Sequence, residues 1–357
     1  MGKFFRWTFF LLLFLLPLTG AGQASTPKYS NEFLSIGVGA RSLGMSNAQV
    51  SVADNVTAGY WNPAGLLDID SQYQFELMHA SLFAGIANFD YAGFATPIDS
   101  SNHLGFSIIR FAVDDIPDTR FLYDANGALN YNNISFFSAA DYAFIFSFAR
   151  RVKSLKLGAN FKVVHRTVGD FANAWGFGLD AGAQLDVQKW RFGLMLRDIT
   201  GTFNAWSHNP ELVIDIYSQT GNQIPENTLE ITLPKLILGV SRYWDLTDHF
   251  TLLAAIDFDF TFDGERNVPI SSEAVSIDPH LGLEIDYKEI IYLRGGIGNI
   301  QQIKDFDGSK STIAQANFGV GFLIKKVQID YALTDMGDQS DALYSHVFSV
   351  RASIDKN

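Results

Sequence analysis

The 357-residue sequence contains no cysteine. That removes thiol nucleophiles, thiolate metal sites and disulfide staples from consideration. Charge is scarce as well: 18% of residues are Asp, Glu, Lys or Arg, against about 25% in soluble domains. The deficit fits a chain whose exposed surface is not all wet. Positive charge is the scarcer sign, with 26 Lys and Arg against 38 Asp and Glu and a formal net charge of -12. Phosphate backbones call for a basic surface, so nucleic acid is not an expected partner. Acidic loops that keep wet ends soluble account for the balance. Past the first residues, no apolar run reaches the roughly 20 residues that a spanning helix needs. A mature chain that lives in a membrane must therefore be a closed barrel, which satisfies its own backbone there.

What is present begins with a targeting signal. Lys3 and Arg6 precede the apolar stretch Trp7 to Leu18, and the small residues Gly20, Ala21 and Gly22 follow. This is the pattern of a cleaved signal peptide over 1–22, with cleavage before Gln23 or after Ala24.

The mature chain alternates at period two. Trp175, Phe177, Leu179, Ala181, Ala183, Leu185 and Val187 are interleaved with Gly176, Gly178, Asp180, Gly182, Gln184 and Asp186. Phe250 to Phe262, Leu155 to Val163 and Tyr344 to Ile354 repeat the pattern. A soluble sandwich also alternates, so three further features decide. Several runs exceed ten residues, whereas soluble strands average about 5–6 and transmembrane strands need about 9–11. The polar face is rich in Gly, Ser, Asn and Asp and poor in the Lys and Glu of wet surfaces. Aromatics such as Trp175, Trp190 and Tyr287 stand near strand ends, as interfacial girdles do.

From residue 72 the runs number about fourteen, an even count as bacterial barrels require. Short turns fall near 99–101, 151–153, 188, 246–248, 288–289 and 326. Longer loops fall at 113–137, 199–233, 263–278, 299–311 and 336–343. The expected fold is all-β, a transmembrane antiparallel barrel over 71–357. Short turns on the periplasmic side put both chain ends there.

Residues 33–70 break the alternation. They are rich in Gly, Ala, Ser and Asn and end in Trp61-Asn62-Pro63-Ala64-Gly65-Leu66. Pro63 can open a short helix, where its missing N–H costs nothing. The segment reads either as a linker or as a plug packed in the lumen, and we assign 23–70 as a lumen plug.

Here the sequence resembles a family. Gly39-Ala40-Arg41, Leu43-Gly44-Met45, Val52-Ala53-Asp54 and Trp61-Asn62-Pro63-Ala64-Gly65-Leu66 are similar to the N-terminal signature of the PorV/PorQ family, which belongs to the FadL-like outer-membrane barrels. His280 to Glu284, Tyr292 to Gly296, Asp330-Tyr331-Ala332 and His346 to Ser349 resemble its later hairpins. The resemblance implies a fourteen-stranded barrel with an N-terminal hatch carrying Gly39, Arg41, Gly44, Asn62 and Pro63. It also implies a role in the type IX secretion system of Bacteroidetes, through binding to the translocon or to secreted cargo. The alternative within the superfamily is a FadL-like channel for hydrophobic small molecules such as fatty acids. That alternative predicts an apolar lumen pocket, a gap in the wall and a moving hatch.

No other chemistry emerges. The seven His form no pair at metal-ligand spacing, no G-x-S-x-G elbow occurs, and Asp305 to Ser309 reads as a polar turn rather than a calcium loop. We expect no enzyme activity, cofactor or metal. Long loops carry Phe121, Tyr123, Phe203, Trp206 and Tyr217. They can anchor a partner or pack over the mouth as a lid. Lumen-facing positions are mostly small or polar, which disfavours a continuous apolar conduit. The expected surroundings are outer-membrane lipid, with protein partners or a hydrophobic ligand in the lumen.

Overall fold

The computed structural model describes residues 30–124, 126–304, 310–334 and 345–355. The signal-peptide segment, the 305–309 turn and Tyr344 lie outside them. The described residues form one antiparallel sheet of seventeen strands. The chain runs through β1 (Tyr73–Leu82), β2 (Ala87–Asp99), β3 (Asn102–Asp118), β4 (Ser135–Val152), β5 (Leu155–Val168), β6 (Ala172–Val187) and β7 (Trp190–Arg197). It continues through β8 (Thr202–His208), β9 (Thr228–Thr232), β10 (Lys235–Asp245), β11 (Phe250–Thr261) and β12 (Ile270–Ser271). It ends with β13 (Ser276–Tyr287), β14 (Ile291–Lys304), β15 (Lys310–Ile324), β16 (Val327–Thr334) and β17 (Ser345–Ile354). Fourteen of these close the barrel, with β8, β9 and β12 as additions. Closure is made by β1, which pairs with β2 on one edge and with β17 on the other, from Tyr73↔Ile354 to Ser81↔His346.

Alternation becomes inside and outside as the pleat requires. On β6, Trp175, Phe177 and Leu179 face out and are nearly half exposed, while Asp180 and Gln184 are buried. Trp190 and Tyr287 stand at the short-turn rim and Trp175 towards the long loops, matching the two aromatic girdles. A charged cluster interrupts the outward face. His79 sits 2.7 Å from Asp90, which also accepts from Arg110 at 3.2 Å. These charges offset one another where lipid offers no partner.

The long-loop end departs from expectation. Segment 199–233 is not a free loop. β7 is short, and β8 takes its place beside the far half of β6, from Ala172↔His208 to Phe177↔Phe203. β9 then pairs with β8. Phe203 therefore belongs to the wall, with its ring centroid 6.0 Å from Phe177, and Trp206 also lies on a strand. Both are corrections to their assignment as loop residues. The cause is local: Thr202 and Asn204 are buried between exposed Phe203 and Ala205, a strand pattern too short to count alone.

The lumen is filled by residues 31–69. Two helical turns, Ala40–Gly44 and Ala58–Trp61, and two 3₁₀ turns, Glu32–Ser35 and Pro63–Asp68, make up its regular parts. Pro63 does open a turn, capped by the Asn62 side chain accepting from Ala64 N at 3.3 Å. Wall glycines let the hatch approach. A Cβ at Gly158 would lie 2.4 Å from Ala64 N, and one at Gly193 would lie 2.3 Å from Val50 O. The ends of the described chain sit apart. Ile354 is at the short-turn rim, as expected. Ser30 and Asn31 instead bond Glu230, Thr232 and Asn204 in the half nearer the long loops.

An Arg at Leu179, on the lipid face, is expected to cost about 2–4 kcal/mol in urea unfolding from lipid vesicles. The exposed loop change Glu226→Arg is expected to stay within about 0.5 kcal/mol. Equal costs would contradict the assigned outer face.

Candidate functional site

The hatch is pinned by charge. Arg41 donates to Glu284 through Nε (2.9 Å) and Nη2 (2.8 Å), and to Asp54 through Nη1 (2.9 Å). Glu284 also accepts from Arg294 Nε at 2.5 Å, and Arg294 Nη1 reaches Asp330 at 2.6 Å. Burial alone would lower the Arg41 pKa. The Glu284 and Asp54 carboxylates outweigh it and hold the guanidinium well above its ordinary value. Five of the segments that carry the family resemblance thus meet at one cluster of alternating charge.

Bonds to the hatch backbone complete the attachment. Asp257 accepts from Gln49 N (2.6 Å) and Val50 N (2.8 Å). Gln184 donates to Val50 O and Ala53 O, at 3.2 and 3.1 Å. The fully buried Asn62 donates to Val50 O (2.8 Å), Ala183 O (3.1 Å) and Leu194 O (3.3 Å). A backbone without regular structure needs such partners when buried. The five hatch residues singled out from sequence all lie at this contact. Gly39 has φ 89° and donates to Met78 Sδ. A Cβ at Gly44 would lie 3.0 Å from Gly319 Cα, and Pro63 packs against Gly158.

Above the hatch, on the long-loop side, lies a chamber of about 320 Å³. The hatch contributes Ile36, Leu43, Ser46, Asn47, Val50 and Trp61 to it. The wall contributes Leu82, Arg197, Lys235, Ile237, Asp259, Asp278, His280, Asn299, Gln315 and Asn317 among others. The lining is mixed, not purely apolar.

The wall opens beside this chamber. The β13–β14 ladder ends at Leu281↔Ile297. Yet β13 continues to Ser276 along β11, and β14 continues along β15 after a register shift between Gly298 and Gln301. β12 covers the free edge at Ser276 and Ile277. Between them lies a slit in the backbone pairing, with Asp278 and Pro279 on one bank and Asn299 on the other, while the His280 ring lies against Gly298, where a Cβ would come within 2.7 Å of Nδ1. Proline, with no N–H to give, is at home on such an edge. A groove of about 600 Å³ along the 265–271 loop shares Asp278, Asn299 and Arg266 with the chamber.

A second surface lies at the long loops. A groove of about 640 Å³ is lined by Phe137, Phe171, Trp206, Val213, Tyr217 and Arg120, among others. The structure brings Trp206 and Tyr217 together there. Phe121 and Tyr123 stand out into solvent, 63% and 64% exposed, and Phe203 faces away on the wall. Sequence reasoning missed Asn47, Arg197, Asp278, His280 and Asn299. Pro279 within an alternating run was the one signal of the slit.

No family model matches the chain, nor does any curated protein sequence. Solved structures do match. The toluene transporter TbuX of Ralstonia pickettii aligns with TM-score 0.53 at 16% identity, over 89% of this chain and 98% of that one. The toluene transporter TodX of Pseudomonas putida aligns with TM-score 0.55 at 13% identity, over 90% and 99%. A Pseudomonas aeruginosa FadL homologue aligns with TM-score 0.50 at 12% identity, over 89% and 98%. The chain has the FadL-like outer-membrane barrel fold. The comparisons do not extend to the PorV/PorQ branch.

Arg41→Met leaves Glu284 with one cation and is expected to weaken hatch attachment by about 3 kcal/mol. Together with Asn62→Ala and Pro63→Ala it should raise solute leakage from liposomes that carry the barrel. Leakage no greater than that of the unaltered protein would count against the lumen seat.

Proposed function

We propose that this chain is a non-enzymatic outer-membrane channel for small hydrophobic or amphipathic molecules. On this reading, residues 1–22 are removed on export and the short turns face the periplasm. The observation that carries it is the chamber between hatch and wall, which borders the break in the β13–β14 ladder. Ligand sites are concave and combine apolar contact with convergent polar groups; this chamber is concave, with apolar side chains among a larger number of polar ones. The aromatic loop groove gives a first docking surface on the outer side. The hatch closes the periplasmic side, so passage requires it to shift or the solute to leave through the slit. The neighbours named as toluene transporters support the reading by fold.

A second reading follows the PorV/PorQ resemblance: a barrel that binds a translocon or secreted cargo. The motif residues that carry the resemblance hold the hatch, a task either function needs. Phe121 and Tyr123 on the outer loops are what favours a protein partner. A gentle-detergent pull-down that recovers secreted proteins sharing one sorting domain would move the assignment there.

The channel reading is tested by the entry of the dye 1-N-phenylnaphthylamine into a Gram-negative host. Expression should speed entry severalfold, and Gln315→Trp, which fills the chamber, should return it towards the rate of cells without the protein. Entry no faster with the unaltered barrel would contradict the channel.

A further inference from the structure

The lipid-facing wall is not uniform. On β11 every outward residue from the short-turn rim upward is apolar: Phe250, Leu252, Ala254, Ile256, Phe258 and Phe260. On β1 the outward apolar run Tyr73, Phe75, Leu77 stops at His79, and on β3 the run Leu104, Phe106, Ile108 stops at Arg110. Counted from that rim, His79 stands level with Ile256 and Arg110 with Phe258. Above the charges the face turns apolar again, with Ile86 66% exposed at the tip of the β1–β2 hairpin. The charges thus lie within the apolar band and do not mark its upper edge.

His79, Asp90 and Arg110 are direct cross-strand neighbours in one row. Asp114 stands further along β3, at 3.7 Å from Arg110. These four side chains remain between 32% and 58% exposed, so whatever lies outside the wall meets them. An acyl chain offers them nothing, and ionisable groups at this depth are costly unless they find partners.

The order of the charges identifies the partner. Asp90 on β2 lies directly opposite Arg110 on β3. A two-fold axis along the membrane normal, between these strands, sets each outward residue of β2 against its own cross-strand neighbour in a second copy. Asp90 then faces the second copy's Arg110, and Arg110 the second copy's Asp90, closing a ring in which sign alternates. Towards the short turns Ala92 faces Ile108, a small side chain against a large one, and Phe94 faces Phe106. A patch of one sign would repel its own copy, whereas this one complements itself, as an isologous contact requires. We propose that the chain pairs with a second copy of itself in the membrane through the outer faces of β2 and β3. The pairing is independent of what the lumen carries.

The test is made in a Gram-negative outer membrane with two full-length copies that carry different tags. One copy has the photocrosslinker p-benzoylphenylalanine in place of Phe94; the other is unaltered. Illumination should link the two copies, with the adduct mapping to β3 near Phe106. The yield should be about tenfold above that from the same photocrosslinker in place of Phe258, on the opposite wall. With the photocrosslinker retained, Asp90→Arg in both copies, or Arg110→Asp in both, should remove the link. Asp90→Arg in one copy with Arg110→Asp in the other should restore it, since the ring then alternates between chains. Heat-modifiable migration on gels confirms that each variant is folded; Arg110→Gln, with a reduced link expected, replaces a variant that is not. A link no stronger than that from β11, or adducts to lipid or another protein alone, would overturn the pairing. So would failure of the two complementary folded variants to restore it.

Discussion

The structure depends on one constraint: a barrel of this girth has a lumen that must be filled, and the filler buries backbone and charge that its own short turns satisfy only in part. Short turns pair much of the hatch backbone internally, but groups such as Gln49 N, Val50 N and the Arg41 guanidinium find partners on the wall. The wall satisfies them through side chains at inward positions, Asp257, Gln184 and Glu284 above all. Buried charge is tolerated only when paired. The run Asp54, Arg41, Glu284, Arg294, Asp330 alternates sign at each step. Removing any inner member leaves a charge stranded away from water, which makes hatch position and wall composition a single problem.

That solution explains where function can reside. The half of the lumen nearer the short turns is occupied by Pro63 to Asp68, packed against β4, β5 and β6, with Lys156 bound to Asp68 at 2.5 Å. Open volume is left on the other side, against the slit. There the wall gives up its ladder over a few residues, and the exposed edges fall beside polar side chains. In hydrocarbon an open sheet edge is costly unless it lines a wet cavity or meets a ligand. The shift at Gly298 to Gln301, with Asn299 at φ 46°, is the local device that turns β14 away from β13.

Much of this was legible in the sequence. Period-two runs fixed the barrel, its outer face and its short turns, because side-chain direction follows from the pleat alone. The small-residue segment showed itself as the hatch by failing to alternate. What could not be read is what depends on distance in the chain. Arg41 and Glu284 are 243 residues apart, and nothing local to either names the other. The hairpin β8–β9 was hidden because a five-residue strand inside a long polar segment carries too little periodicity. The slit was hidden for the opposite reason: β13 and β14 each alternate well, and only their relative course shows that they part.

The most direct test of this account is hydrogen exchange of the hatch in the lipid-embedded barrel. Backbone amides of residues 40–66 should exchange as slowly as those of the barrel strands, since wall side chains hold them and water is excluded. Exchange at the rate of the exposed loop around Gly127 would show that the lumen is not filled in this way. Filling of the lumen would then no longer be the constraint on which the rest depends.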